Sequence, residues 1–184
     1  SHDVVGRLRR ILKTKKIGHA GTLDPMATGV LVIGVGRATK LLQFLTAQTK
    51  VYRATLTLGF STTTYDLEGE TVEKKDYQND VSEAMVLETL HSFLGDSKQI
   101  PPIYSAIKKD GKPLYEYARE GKEVEIEERD IHISRIDLVS FEHNEITFDV
   151  VCSKGTYIRS LCVDIAAKLN YPGVMSSLLR IQSG

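Results

Sequence analysis

One carboxylate, one imidazole and three glycines fall within fourteen residues, Gly18-His19-Ala20-Gly21-Thr22-Leu23-Asp24-Pro25-Met26-Ala27-Thr28-Gly29-Val30-Leu31. Glycine lets a backbone turn sharply and approach a ligand closely. A residue that precedes proline is driven toward extended geometry, so Asp24 cannot lie inside a helix. The run therefore displays a carboxylate from a stiff loop, where it could serve as a nucleophile or a base. The bland alternative is ordinary turn chemistry, since Asp-Pro is a common turn starter.

A second group lies far along the chain, in Cys152-Ser153-Lys154-Gly155-Thr156-Tyr157-Ile158-Arg159. Here a glycine-containing strand end runs into a helix start, whose free N–H groups can face a phosphate. On its own, Arg159 would be a surface ion pair of little energetic weight. Tyr52 opens an alternating segment and reads either as a core aromatic or as a ring for stacking on a base. His19 would by default be a hydrogen-bonded loop histidine. No second histidine stands at ligand spacing, so no metal is expected. Gly34-Val35-Gly36 before Arg37-Ala38-Thr39-Lys40 lacks the third glycine and the βαβ unit of a dinucleotide site.

These residues need elements to hold them. Ser1 to Leu12 reads as a helix capped by Ser1 or Asp3, with Val4, Val5, Leu8, Ile11 and Leu12 on one stripe. Val30 to Val35 reads as a short buried strand, and Ala38 to Leu45 as a helix. Val51 to Phe60 alternates as a half-buried strand, and a short strand follows near Thr71. Asp80 to Leu94 reads as a helix with an Asp80–Glu83 capping box. Gln99 to Pro102 looks irregular. Tyr104 to Lys109 with Asp110-Gly111 suggests a strand and hairpin, and Leu114 to Glu120 a short helix ended by Gly121. Ile131 to Phe141 and Glu145 to Cys152 should pair across His143-Asn144, and Tyr157 to Leu169 should be helical. Without βαβ regularity, the fold class is α+β, a mostly antiparallel mixed sheet flanked by helices.

The chain has 184 residues, 41% of them hydrophobic, and no formal net charge. That suits a single domain over 1–184, or one domain with a small appendage, and a sizeable core. Neutrality argues against a protein that coats nucleic acid. A neutral total can still hide a basic face, and Arg7, Arg9, Arg10, Lys13, Lys15 and Lys16 crowd the approach to Gly18. Acidic residues gather at 116–130. Cys152 and Cys162 form no C-x-x-C pair and read as buried free thiols in a reducing compartment. No signal peptide or membrane-length apolar run is evident, so a cytoplasmic location is expected.

The run from Gly18 to Leu31 resembles the motif G-H-x-G-x-L-D-P-x-A-T-G of the TruB family of tRNA pseudouridine synthases. Lys154-Gly155-Thr156-Tyr157-Ile158-Arg159 is similar to that family's K-G-T-Y-I-R. The stretches Ile100 to Ala106 and Lys108 to Tyr115 resemble its bacterial branch. The resemblance implies the pseudouridine synthase catalytic fold and isomerisation of uridine to pseudouridine in the T loop of tRNA, at position 55. It makes Asp24 the catalytic carboxylate and places Arg159 against it, fixing its orientation and favouring its charge. Tyr52 would stack on the target base and assist loss of the C5 proton. Tyr157 would wall the uracil pocket, and His19 would fill space left by the flipped nucleotide. Lys40, Lys154 and Gly155 would meet the RNA backbone. Asp66, which reads as turn chemistry, matches a family aspartate near the RNA. The lysines of 108–112 would also face the backbone. A strand with a Lys-Pro pair should precede Ser1 in such proteins and a PUA-type RNA-binding domain should follow, so the segment is expected to be a catalytic domain shortened at both ends.

The implied partner is the tRNA T stem-loop, with no protein partner, membrane or cofactor. The uridine would be flipped out of its stacked loop to react. Asp24 would start cleavage of the N1–C1′ bond by attack at C1′, by attack at C6 or by removing the 2′ proton. Two rival classes remain open to the sequence. One is a tRNA-folding module that binds without chemistry, which would not need Asp24, Tyr52 and Arg159 together. The other is a glycoside hydrolase, which would need a second carboxylate such as Asp66 or Asp164.

Overall fold

Alternation decides the central strand. In the segment Lys50–Leu58, Ala54, Leu56 and Leu58 are fully buried, while Arg53, Thr55 and Thr57 point to the opposite side. A period of two puts successive side chains on opposite faces of a sheet. The computed structural model describes residues 1–184. In chain order its elements are α1 (His2–Ile11), β1 (Ile17–Ala20), β2 (Thr28–Gly29), β3 (Val32–Val35), a 3-10 turn (Gly36–Leu41), α2 (Leu42–Thr46), β4 (Lys50–Leu58), β5 (Phe60–Thr62), β6 (Thr71–Lys74), α3 (Glu83–His91), β7 (Gly95–Gln99), β8 (Lys108–Lys109), β9 (Lys112–Pro113), α4 (Leu114–Arg119), β10 (Arg129–Glu142), β11 (Glu145–Cys152), α5 (Ile158–Lys168) and β12 (Gly173–Ser183).

The main sheet has six strands in the order β2-β12-β4-β11-β10-β7. Its pairings are antiparallel except β2 with β12. This is the mostly antiparallel α+β architecture read from the sequence. Val86 and Leu90 of α3 and Leu161, Cys162, Ile165 and Ala166 of α5 pack with Leu56, Ile133 and Phe148 of the sheet into one core. Each such large apolar side chain stabilises the fold by about 1.5–3 kcal/mol. The other face is polar. Arg53 forks onto Asp149 at 2.8 and 2.9 Å, Thr55 meets Thr147 at 2.9 Å, and Thr57 donates to Ser176 at 2.8 Å.

What positions the site is the split around Asp24. β1 pairs with β3 in a separate antiparallel ribbon, whereas β2 leaves that ribbon and joins β12 in the main sheet. The loop carrying Asp24 is thus anchored in two different sheets. Gly29 makes the second anchor possible. It has φ of +110°, and a Cβ there would stand 2.1 Å from the Arg180 carbonyl oxygen.

Several sequence expectations change. Of the stripe on α1 only Val5 is buried, because Val4, Ile11 and Leu12 face outward. Ser1 stands at the N-cap position, but its hydroxyl accepts from the Leu23 amide at 3.1 Å instead of capping the helix. The expected buried strand Val30–Val35 shortens to β3 and is largely half-buried or exposed. The segment from Ala38 divides into the 3-10 turn and α2. The helix expected from Asp80 begins at Glu83, since Ser82 is the residue that caps it, at 3.2 Å from the Met85 amide. Asp80 instead accepts from the Tyr171 hydroxyl. The strand expected from Tyr104 is only the two-residue β8, and β7 and β12 lie where no strand was read. The hairpin β10–β11, the helix ended by Gly121 and the helix after Tyr157 form as expected. Cys152 and Cys162 are buried free thiols. Burial pushes the Cys152 thiol up to about 11. No helix is long and apolar enough to cross a membrane.

Candidate active site

Asp24 does start a turn. The Ala27 amide donates to the Asp24 carbonyl oxygen at 3.0 Å, which leaves Pro25 at the second position that its fixed φ suits. Turn chemistry and display of the carboxylate are therefore one arrangement. The backbone is used to close the turn, and the side chain is free to point elsewhere.

It points at Arg159. Arg159 sits in the first turn of α5, 135 residues from Asp24 in sequence. Its Nε donates to Asp24 Oδ2 at 2.9 Å and its Nη2 to Oδ1 at 3.3 Å. Two more donors are also used: Nη1 reaches the Thr64 carbonyl at 3.1 Å and Nη2 the Tyr104 carbonyl at 3.1 Å. A planar fork can satisfy four acceptors at fixed angles, which an ammonium cannot. The Arg159 side chain is 6% exposed and that of Asp24 30%. The cation is thus enclosed, and the carboxylate keeps an open edge. Such a charge-assisted pair fixes geometry as well as adding energy.

The start of α5 is itself tied down. The Gln99 side chain, 3% exposed, donates from Nε2 to the Tyr157 carbonyl at 3.0 Å and accepts from the Tyr157 amide at 2.8 Å. The Ser160 hydroxyl donates to the Ile100 carbonyl at 2.8 Å. Sequence reasoning passed over Gln99, in a stretch that looked irregular. An uncharged amide at the end of a polar edge strand carries no signal until its partner is known.

Tyr52 lies on β4, opposite Val150 on one side and Arg180 on the other. Burial raises the pKa of its hydroxyl. The neighbouring Arg180 guanidinium works against that rise, while Cys152 and the Asp24 carboxylate add to it. Tyr52, Asp24 and Arg180 therefore share one electrostatic neighbourhood. His19, on β1, stands edge-on to His2 with ring centroids 6.2 Å apart. Its Nδ1 is buried without a hydrogen-bond partner. Burial first, and the nearby His2 and Arg180 charges next, hold its pKa below 6.5.

The other predicted residues are more dispersed. Tyr157 is half-buried at the N-cap of α5, two residues before Arg159. Lys40, Lys154 and Gly155 are exposed. Asp66 is 3% exposed. Its Oδ1 accepts from the Thr64 hydroxyl and, at 3.1 Å, from the Glu68 amide, so its carboxylate is used in local turn chemistry. Arg7, Arg9, Arg10, Lys13, Lys15 and Lys16 are all exposed around the end of α1. An open groove of about 670 Å³ begins at Thr63 and Tyr104, beside the carbonyls that hold Arg159, and runs along Ala118, Lys122 and Val124.

Residues 9–158 match the family described as TruB family pseudouridylate synthase (N terminal domain). The chain belongs to the TruB family. Its relatives include proteins named tRNA pseudouridine synthase B. That of Bacillus subtilis is 54% identical over 189 aligned residues, covering 100% of this chain and 61% of the relative. That of Bacillus pumilus is 52% identical with the same coverage. The chain thus spans about 61% of the length of these curated relatives. Among solved structures, a Cbf5-Nop10-Gar1 complex superposes with a TM-score of 0.76 at 30% identity, covering 100% of this chain and 45% of that one. An H/ACA RNP bound to a substrate RNA containing 2′-deoxyuridine gives a TM-score of 0.72 at 27% identity, covering 100% and 43%. Within the TruB family motif, the position of the aspartate is occupied here by the residue that Arg159 grips.

Proposed function

We propose that this chain carries the catalytic centre of an enzyme that isomerises uridine to pseudouridine in the T loop of tRNA, at position 55. The observation that carries the reading is the Asp24–Arg159 fork, at 2.9 and 3.3 Å, with an open carboxylate edge and Tyr52 on β4, across β12 from Gly29 at the end of the same loop. In this reading the T arm docks by phosphate contacts and shape. The exposed basic residues at the end of α1, with Lys40, Lys154 and the Gly155 backbone, supply those contacts. The target uridine leaves its stack, because its reacting atoms are inaccessible inside the loop.

Tyr52 stacks on the extruded base, with Tyr157 walling the pocket and His19 filling the space the nucleotide leaves. Asp24 initiates cleavage of the N1–C1′ bond. The uracil turns in place and C5 bonds to C1′. The proton on C5 is then lost and N1 gains one, so the product is an isomer of the substrate. Tyr52 is the group placed to help that last transfer. Arg159 holds the carboxylate throughout. A buried carboxylate engaged in its own turn makes Asp66 a scaffold residue in this scheme. The cytoplasm is the setting that goes with a tRNA substrate.

The test is release of tritium from a T-arm RNA labelled at uridine C5. Release by the chain, lost in Asp24→Asn with RNA affinity held within a few fold, supports the reading. Binding without release would instead favour a tRNA-folding module. Free uracil among the products would point to glycoside hydrolysis.

A further inference from the structure

Arg180 is 1% exposed and has no carboxylate within salt-bridge distance. A buried cation without a counter-ion is costly unless its donors are met. Two of them are met by the two ends of one loop. Arg180 Nε donates to the Val30 carbonyl at 2.8 Å, and Nη2 donates to the Gly21 carbonyl at 3.0 Å. Gly21 and Val30 bracket the segment that displays Asp24. The main chain of the same residue adds a third tie, its carbonyl accepting from the Val30 amide at 2.9 Å. Gly21 has φ of +72°, and a Cβ there would stand 3.1 Å from Arg180 Nη1, so the guanidinium fills the space against that end of the loop.

The same residue faces Tyr52 directly across the β12–β4 pairing. Arg180 is therefore the one side chain that touches both ends of the Asp24 loop and also neighbours the aromatic ring. Arg159 orients the carboxylate from the α5 side, but it makes no contact that would set the loop against β4.

We propose that Arg180 is a positioning residue, which clamps the Asp24 loop at Gly21 and Val30 and indexes it to Tyr52, so that carboxylate and ring meet the same base. The proposal rests on the catalytic reading above and deepens it. Arg180 is sealed from solvent, so it meets no RNA; it acts through Asp24 and Tyr52. A misplacement of about 1 Å in a catalytic group can cost on the order of a hundredfold in rate, and lysine cannot span two carbonyls at the angles a guanidinium reaches.

The experiment compares the unaltered chain with Arg180→Lys on a T-arm hairpin. Single-turnover pseudouridine formation, hairpin affinity and amide exchange of the Asp24 loop are measured together. The expected result is a rate lowered by about a hundredfold, affinity kept within a few fold, and faster exchange at 21–30 with the β4 and β11 amides unchanged. In a Tyr52→Phe background the same substitution should cost less than in the parent, because coupled residues are non-additive. A folded Arg180→Lys with an unchanged rate, or with its whole loss in affinity, overturns the proposal. If the unaltered chain forms no pseudouridine, the catalytic reading fails, and the loop exchange alone then judges the clamp. If Arg180→Lys does not fold, the Arg180 Nε–H resonance of the unaltered chain decides. Slow exchange with water supports the clamp, and rapid exchange overturns it.

Discussion

Arg159→Lys keeps the charge and discards the fork, so it isolates what geometry contributes. Arg159 makes four hydrogen bonds, two to Asp24 and one each to the carbonyls of Thr64 and Tyr104. A lysine ammonium is a single point on a flexible stem and can serve about two of these at once. The two that go include one to a charged group, worth about 1.5–3 kcal/mol, and one neutral bond worth about 0.5–1.5 kcal/mol. Their sum is a loss of about 2–4.5 kcal/mol, and at 6% exposure water cannot make good the difference. For a chain of this size that lowers the melting temperature by roughly 5–15 °C. The rate should fall by on the order of a hundredfold, because Asp24 loses its orientation. Calorimetry and single-turnover pseudouridine formation on a T-arm hairpin read the two effects. A variant that melts with the parent and reacts within a few fold of it would refute the claim that the fork, rather than the charge, sets the site.

Gly29→Ala should break the β2–β12 junction, since the new Cβ would fall 2.1 Å from the Arg180 carbonyl at a φ of +110°; a destabilisation of more than about 3 kcal/mol in urea titration is expected. Gln99→Leu removes both bonds to the Tyr157 main chain and leaves the Tyr157 amide unmet, while the Tyr157 carbonyl keeps the Leu161 amide at 3.1 Å. It should cost about 1–3 kcal/mol and lower the rate by loosening the start of α5. His19→Gln tests the acid limb. Folding holds the His19 pKa below 6.5, so the unfolded chain takes the proton first as pH falls. Stability should therefore decline from about pH 6.5 downward through the lower folded value. The glutamine variant should show a flatter melting temperature across that window, and an unchanged slope would count against it.

The two motifs were readable because their chemistry is written in adjacent residues. The Asp24 loop and the Tyr157–Arg159 corner appear in the structure in the roles of displayed carboxylate and gripping guanidinium. β4 was readable because its alternation is unbroken. β12 was not, because register shifts between Met175 and Ser177 and between Arg180 and Gln182 interrupt the period of two. β7 has the sequence Gly-Asp-Ser-Lys-Gln, and an edge strand held by backbone pairing needs no apolar signature. α3 starts later than read because Ser82, not Asp80, has the geometry to cap it. Arg180 and Gln99 share a cause of their own. A polar side chain that serves distant main-chain groups leaves no pattern near itself in the sequence.

The ties that hold the Asp24 loop reach 135, 150 and 159 residues along the chain. During synthesis the loop leaves the ribosome early, whereas its holders at 159 and 180 emerge near the end of this segment. Until β12 slots between β2 and β4, the carboxylate has no fixed distance to the tyrosine. On the catalytic reading proposed above, a nascent chain that still lacks residues 159 and 180 has none of the ties that aim the carboxylate at RNA.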